Sequence, residues 1–136
     1  MMVPVTAMIE LHEMLAALTV SVRPDRYTFV TMASPAKLKL DDSIEAVVRE
    51  VEGTTVVTTV DRARARGWDI GFEAAWLTIE IHSALEAVGL TAALSAVLAE
   101  AGIPCNVLAG FHHDHLLVPP DRVDDSLAAI ESLRAG

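Results

Sequence analysis

The 136-residue sequence is poor in several residue types, and each shortage excludes a class of protein. It has one cysteine, Cys105, so it can form neither an internal disulfide nor a cysteine-rich zinc site. Ten basic residues stand against 19 acidic ones, and the resulting formal charge of −9 argues against binding to nucleic acid or to anionic membranes. Aromatic residues make up only 4% of the chain, so the core has to be aliphatic.

Long apolar runs are also missing, although 52% of the residues are hydrophobic. No window holds the roughly 18 consecutive apolar residues that a transmembrane helix needs. Residues 1–18 contain acidic side chains and lack a basic start, so they do not resemble a signal peptide. We therefore expect a cytoplasmic protein. The mean hydropathy is high, at +0.41, so many hydrophobic side chains then have to be buried inside the domain or in a subunit interface.

Hydrophobic periodicity predicts an α+β chain with the order α-β-α-β followed by β-α-β-β-α. The second half is most of a ferredoxin-like unit, and the sheet is expected to be mainly antiparallel with helices on one face. A turn is predicted at residues 23–25. The predicted helices are residues 6–18, 42–53, 90–101 and 121–133, and the predicted strands are residues 27–32, 54–60, 75–83, 105–110 and 115–118.

Candidate binding residues lie just before the predicted helix at 90–101 and at its start. Gly89 permits a tight turn and a close approach of the backbone to a ligand. The first N–H groups of the helix have no partner within it, and they attract a carboxylate through hydrogen bonding and the helix dipole. The alternative is a purely structural turn with a helix cap. The candidate residues in this segment are Ser83, Glu86, Val88, Gly89, Leu90 and Thr91.

A second polar segment is the run His112-His113-Asp114-His115. Alternate side chains of an extended chain share a face, so this run offers at most two metal ligands on either side. A zinc or nickel site needs three or four converging donors, and metal binding is therefore the weaker alternative even if His82 lies nearby. Asp114 could instead accept hydrogen bonds from a ligand's ammonium group, with His113 beside it, or the run could be an ordinary polar turn.

The sequence contains no recognisable catalytic arrangement. Local spacing fixes no histidine beside Cys105, which is expected to be a buried structural thiol, and Ser83 has no G-x-S-x-G setting. Glycine patterns for nucleotide binding are missing as well. Arg62, Arg64 and Arg66 could form a small anion site, but a solvated turn or short helix is the favoured interpretation, because isolated charge runs usually face water. We therefore predict a protein that is not an enzyme and holds no cofactor.

Three segments resemble a known family. Residues 83–92, 101–107 and 111–118 are similar to segments of small bacterial ACT-domain proteins of unknown function. Those proteins are similar in turn to the ACT modules of CASTOR-type arginine sensors and of aspartate kinase regulatory regions. The similarity is specific over residues 76–133, whereas over residues 1–75 it rests on length and element order.

The resemblance implies two abbreviated ferredoxin-like (ACT-like) βαββα units packed together, residues 1–73 and 74–136. It also implies a regulatory protein whose loop at 83–91 holds an amino-acid effector, with Asp114 in contact with it. The remaining alternative is an oligomerisation module with a vestigial pocket, because an aliphatic excess in so small a domain suggests surface buried in a homodimer. The expected partners are an amino acid and a second copy of the chain, with no nucleic acid and no membrane.

Overall fold

The computed structural model describes residues 5–33, 38–81 and 89–135, and its mixed α+β architecture confirms the predicted fold class. Its helices and strands, in chain order, are α1 (Val5–Ala17), β1 (Thr19–Met32), β2 (Ile44–Arg49), β3 (Thr54–Thr59), α2 (Val60–Ala65), β4 (Ala74–Glu80), α3 (Leu90–Glu100), β5 (Asn106–Ala109), β6 (Asp114–Val118) and α4 (Val123–Ala135), with a short 3-10 turn at Pro120–Arg122 before α4. None of the helices in these described ranges is long and apolar enough to cross a bilayer.

The strands follow the order β2-β3-β1-β4-β6-β5 in the sheet. β1 and β3 pair in antiparallel register, with Tyr27 opposite Thr59 and Met32 opposite Thr54. β2 also pairs antiparallel with β3 and β5 with β6, so the expected predominance of antiparallel pairing is confirmed.

The chain folds into two compact units. The central unit is Pro24–Ala75, and the terminal unit combines the residues up to Arg23 with those from Trp76 onward. β1 and β4 each contribute residues to both units.

Leucine side chains dominate the core of the terminal unit. Leu90, Leu94 and Leu98 form one buried stripe of α3, at the i, i+4 and i+8 spacing that predicted this helix. On β4, buried Leu77 and Ile79 alternate with the less buried Thr78 and the exposed Glu80, which is the pattern expected of the strand predicted at residues 75–83. The other buried members of this core include Leu18, Leu116, Val118 and Ile130.

β-Branched side chains dominate the core of the central unit. Val56 and Val57 of β3 are almost fully buried, and Val60 and Ala63 are the buried residues of the six-residue helix α2. Thr28 and Thr58 are buried as well. This core therefore consists mainly of short strand side chains, with a small contribution from a helix.

The prediction of a helix over residues 42–53 is wrong, since Ile44–Arg49 is strand β2. Asp41 begins a turn: its backbone oxygen accepts from Ile44 N (3.0 Å) and its carboxylate accepts from Ser43 N (2.9 Å). Glu50 and Gly53 then exchange backbone hydrogen bonds and close a hairpin into β3. The apolar residues that suggested a helix face are mostly β-branched, a shape that favours strands. Pairing with the valine-rich strand β3 stabilises the strand conformation of this segment.

The predicted turn at residues 23–25 is also wrong, because β1 runs continuously from Thr19 to Met32. Proline fixes φ near the extended region, so it blocks a strand only where its nitrogen has to donate to a ladder. Pairing with β3 begins beyond Pro24, at Tyr27.

Candidate functional site

The start of α3 contains the described part of the predicted loop site. Ser83, Glu86 and Val88 lie outside the described residues. Gly89 is the N-cap of α3 with φ of 95°, in the left-handed region, and its carbonyl accepts from Ala93 N (2.9 Å). A Cβ added at Gly89 would lie 2.9 Å from Leu11 Cδ2 of α1. The backbone conformation therefore favours glycine at this position, and a Cβ would in addition displace the end of the Leu11 side chain.

The first turn of α3 has backbone N–H groups with no partner inside the helix. Within the described ranges no side chain caps this end, and the turn itself carries no acidic residue. Leu90 is buried, whereas Thr91 and Ala92 are exposed to solvent. This end of the helix can therefore donate hydrogen bonds to a carboxylate, with the helix dipole adding to the attraction.

His113 and Asp114 lie in the hairpin that joins β5 and β6. Gly110 N donates to His113 O (2.9 Å), and Asp114 pairs with Ala109 at the first position of the ladder. Both side chains are half-buried. In the described part of the chain, His113 Nδ1 is buried without a hydrogen-bond partner. The hairpin therefore offers a half-buried carboxylate to polar ligand atoms, beside an imidazole whose Nδ1 is buried.

His115 is fixed by a cluster that sequence reasoning did not identify. Its Nδ1 accepts from Trp76 Nε1 (3.2 Å) and lies 3.0 Å from Thr78 Oγ1. The guanidinium of Arg23 lies 4.1 Å from the centre of the Trp76 ring. The indole N–H of Trp76 can only donate, and both Thr78 Oγ1 (3.1 Å) and His115 Nδ1 lie within its reach. We call Arg23, Trp76, Thr78 and His115 the Trp76 cluster.

The Trp76 cluster joins the start of β6 to β4. His115, at the start of β6, lies beside Trp76 and Thr78 of β4. The described part of the chain ends at Ile81 before the predicted loop and resumes at Gly89. The structure therefore brings His115 against β4, and the candidates His113 and Asp114 precede it in the same hairpin. The alternating pattern of β4 was the only sequence signal that set Trp76 and Thr78 on one face.

Metal ligands do not converge in the residues the structure describes. No group of three or more His, Cys, Asp or Glu side chains there is arranged to hold a metal ion. The rings of His112 and His113 are 6.4 Å apart, and His115 points to Trp76. His82 lies outside the described residues.

Cys105 is a free, half-buried thiol just before β5. Burial raises its pKa, because loss of solvation disfavours the thiolate. The thiol form therefore dominates at neutral pH, which does not suit a nucleophile.

The three clustered arginines have separate partners. Arg62 is paired with Asp41, and Arg64 Nη2 lies 3.2 Å from Glu73 Oε1. The guanidinium of Arg66 lies 5.9 Å from the Trp68 ring centre. These residues therefore do not converge on one anion.

Family models match nearly the whole chain. One model described as an ACT domain matches residues 6–75, and a second, also described as an ACT domain, matches residues 72–132. No protein with a curated description matches significantly.

Solved structures agree with the family models. A Vibrio cholerae protein of unknown function, described as a possible transport protein, is 32% identical with a TM-score of 0.83, covering 94% of this chain and 98% of that one. An Agrobacterium tumefaciens protein is 18% identical with a TM-score of 0.65, over 86% and 89% of the two chains. The regulatory subunit of aspartate kinase from Thermus thermophilus is 11% identical with a TM-score of 0.61, over 86% and 98%, and shows likeness of fold alone.

Proposed function

Because the chain belongs to the ACT-domain family, we propose that it is a non-enzymatic regulatory protein that binds an amino acid at residues 83–91. ACT domains are generally regulatory modules that bind amino acids. The two family matches, to residues 6–75 and 72–132, support two ACT-type units at residues 1–73 and 74–136. We place the protein in the cytoplasm, where amino acids are made and used.

The observation that carries the proposal is the open start of α3. The left-handed Gly89 ends the loop, and the N–H groups of the first turn follow it without a side-chain cap from the described residues. A ligand carboxylate would accept hydrogen bonds from these groups and gain from the helix dipole. The ligand's ammonium group would need an acceptor, and Asp114 remains our candidate on the evidence of its half-buried carboxylate.

Thermal-shift screening of the twenty amino acids tests this proposal. A ligand present at about 100 times its dissociation constant stabilises the protein by roughly 2.7 kcal/mol, which raises the melting temperature measurably. A melting temperature unchanged by every amino acid would contradict amino-acid binding.

Thr91→Glu separates binding from folding at the same position. The added carboxylate would occupy the helix end and repel a ligand carboxylate, while stabilising the helix through its dipole. We expect ligand-induced stabilisation to be lost and the free protein to melt at the same or a higher temperature. Thr91→Gln adds similar bulk without charge and is the matched control. Equal ligand response in the two variants would argue that the site lies elsewhere.

Oligomerisation is a second candidate function, supported by the exposed edge of the sheet. β2 is the last strand at one end of the strand order, and Val47 and Val48 on its opposite faces are 40% and 49% exposed. Unpaired strand edges with apolar side chains favour pairing with another chain. We propose that two copies form a homodimer through β2.

Light scattering over a wide concentration range tests the homodimer. Val48→Lys should convert a dimer to a 14.6 kDa monomer, because lysine on an edge strand opposes edge pairing. Val22→Lys is the matched control, since Val22 is equally exposed at 42% but lies on the inner strand β1. A monomer in the wild-type protein at every concentration would exclude this function.

A further inference from the structure

The central unit contains a cavity that the proposed amino-acid site does not use. Its volume is about 340 Å³, at the lower end of the roughly 300–1,000 Å³ typical of small-molecule sites. Charged side chains dominate its wall. The lining residues are Pro24, Asp25, Arg26, Thr59, Val60, Asp61, Arg64 and Glu73.

Glu73 positions two arginines on the wall of this cavity. Arg26 Nη1 lies 3.1 Å from Glu73 Oε2, and Arg64 Nη2 lies 3.2 Å from Glu73 Oε1. A guanidinium has five N–H donors in a rigid fork, and each arginine uses one of them on Glu73. The shared carboxylate thus holds both guanidinium groups near each other and leaves most of their donors for a ligand.

Two more carboxylates line the same cavity. Asp25 lies on β1 and Asp61 in the first turn of α2. Within the described ranges neither side chain takes part in an ion pair or a hydrogen bond. The cavity therefore has two positive and three negative side chains, a net charge of 2 − 3 = −1.

We propose that this cavity binds a small zwitterion with net positive charge, of the dibasic amino-acid class. Its carboxylate would pair with the free donors of Arg26 and Arg64, and its cationic groups with Asp25 and Asp61. A charge of +1 on such a ligand cancels the −1 of the cavity. A simple anion would meet three repelling carboxylates, and a diamine would leave the guanidinium donors unused.

The residues that line this cavity differ from those of the loop at 83–91, so substitutions can test the two sites separately. Every lining residue belongs to the central unit, whereas the start of α3 belongs to the terminal unit. The −9 charge of the whole chain also favours the approach of a cationic ligand.

Calorimetric titration of the full chain with L-lysine tests the proposal. We expect binding to the wild-type protein and at least a tenfold weaker affinity for Arg64→Gln, because a charge-assisted pair is lost. Arg64 is 63% exposed, so this variant should fold normally. Arg66→Gln is the matched control, since Arg66 follows α2 and does not line the cavity. Asp25→Asn should also weaken lysine binding.

Three results would overturn the proposal. The first is no lysine binding to the wild-type protein, and the second is equal affinity in Arg64→Gln and Arg66→Gln. The third is tighter binding of inorganic phosphate or putrescine than of lysine, which would show that the cavity selects one sign of charge. Lysine binding that is lost in Thr91→Glu but kept in Arg64→Gln would place the ligand at the loop, supporting the proposed function and rejecting this second site.

Discussion

The two compact units build their cores from different side chains. The terminal unit contains three helices of 11 to 13 residues, and the leucine stripe of α3 supplies much of its core. The central unit, in its described residues, has a β-hairpin at 44–59 and one helix, the six-residue α2, and its core is rich in valine and threonine. Side-chain shape explains the difference, since leucine suits helix faces and β-branched residues suit strands.

The difference extends to the chemistry that each unit offers a ligand. Among its described residues, the terminal unit has no side-chain cap at the start of α3, where backbone N–H groups can donate to a ligand. In the central unit Thr59 Oγ1 caps α2 by accepting from Arg62 N (3.2 Å), and charged side chains line a cavity instead. A ligand would therefore contact mostly backbone in one unit and mostly side chains in the other.

The largest expected effect is on the core. Leu94→Ala in α3 removes a fully buried side chain and should lower the free energy of unfolding by about 2–5 kcal/mol. Val57→Ala in the central unit removes less apolar volume and should cost about 2 kcal/mol. Urea unfolding of the two variants measures both. An equal or larger loss for Val57→Ala would contradict the importance assigned to the leucine stripe.

The next effect concerns the glycines at the two ends of α3. Gly89→Ala should cost about 1–3 kcal/mol, since a forced shift of the Leu11 side chain adds to the strain of a positive φ. Gly102→Ala, with φ of 70° and nothing within 4 Å, should cost only the conformational part of about 1–2 kcal/mol. Thermal or urea unfolding gives both values. In a double-mutant cycle, Leu11→Ala should recover part of the loss at Gly89 and none at Gly102.

A smaller effect is expected at the cap of α2. Thr59→Ala removes the hydrogen bond to Arg62 N and should lower the free energy of unfolding by about 0.5–2 kcal/mol. Thr59→Ser keeps the capping oxygen and should recover most of the loss. If both variants lose equal stability, the cap contributes nothing and the methyl group of Thr59 matters instead.

The smallest effect on stability is expected at Cys105. Burial raises the pKa of its thiol, so alkylation by iodoacetamide at pH 7–8 should be slower than for an exposed cysteine and should speed up with rising pH. The folded thiol holds its proton more tightly than the unfolded one. Its stabilising contribution is therefore complete below the ordinary thiol pKa and declines as pH rises through the folded value. Alkylation as fast as that of free cysteine at pH 7 would contradict this.

The sequence predicted the terminal unit better than the central unit. The spacing of Leu90, Leu94 and Leu98 fits a helix and not a strand, and the alternation along β4 fits a strand and not a helix. In both segments the spacing of apolar residues therefore predicts one type of secondary structure. Residues 44–51 were ambiguous, because the spacing of Ile44, Val47, Val48 and Val51 fits a helix face while their β-branched shape fits a strand. Pairing with β3 resolved that ambiguity, and no local signal could have done so.

The candidate sites divide in the same way. Gly89 and the start of α3 can be recognised from neighbouring residues in the sequence, and the sequence analysis identified them as candidates. The Trp76 cluster and the charged cavity combine residues far apart in the chain, for example Trp76 with His115 and Arg26 with Glu73. Such residues come together only when strands distant in the sequence pair in the folded sheet.

By itself, the sequence determined the fold class, the aliphatic core and the helices of the terminal unit, because local periodicity and residue shape decide these. The tertiary structure alone decided that residues 44–49 form a strand, that β1 continues through Pro24, and that His115 meets Trp76. The physical reason is that hydrogen-bonded strand partners and side-chain contacts at long sequence separation outweigh weak local preferences.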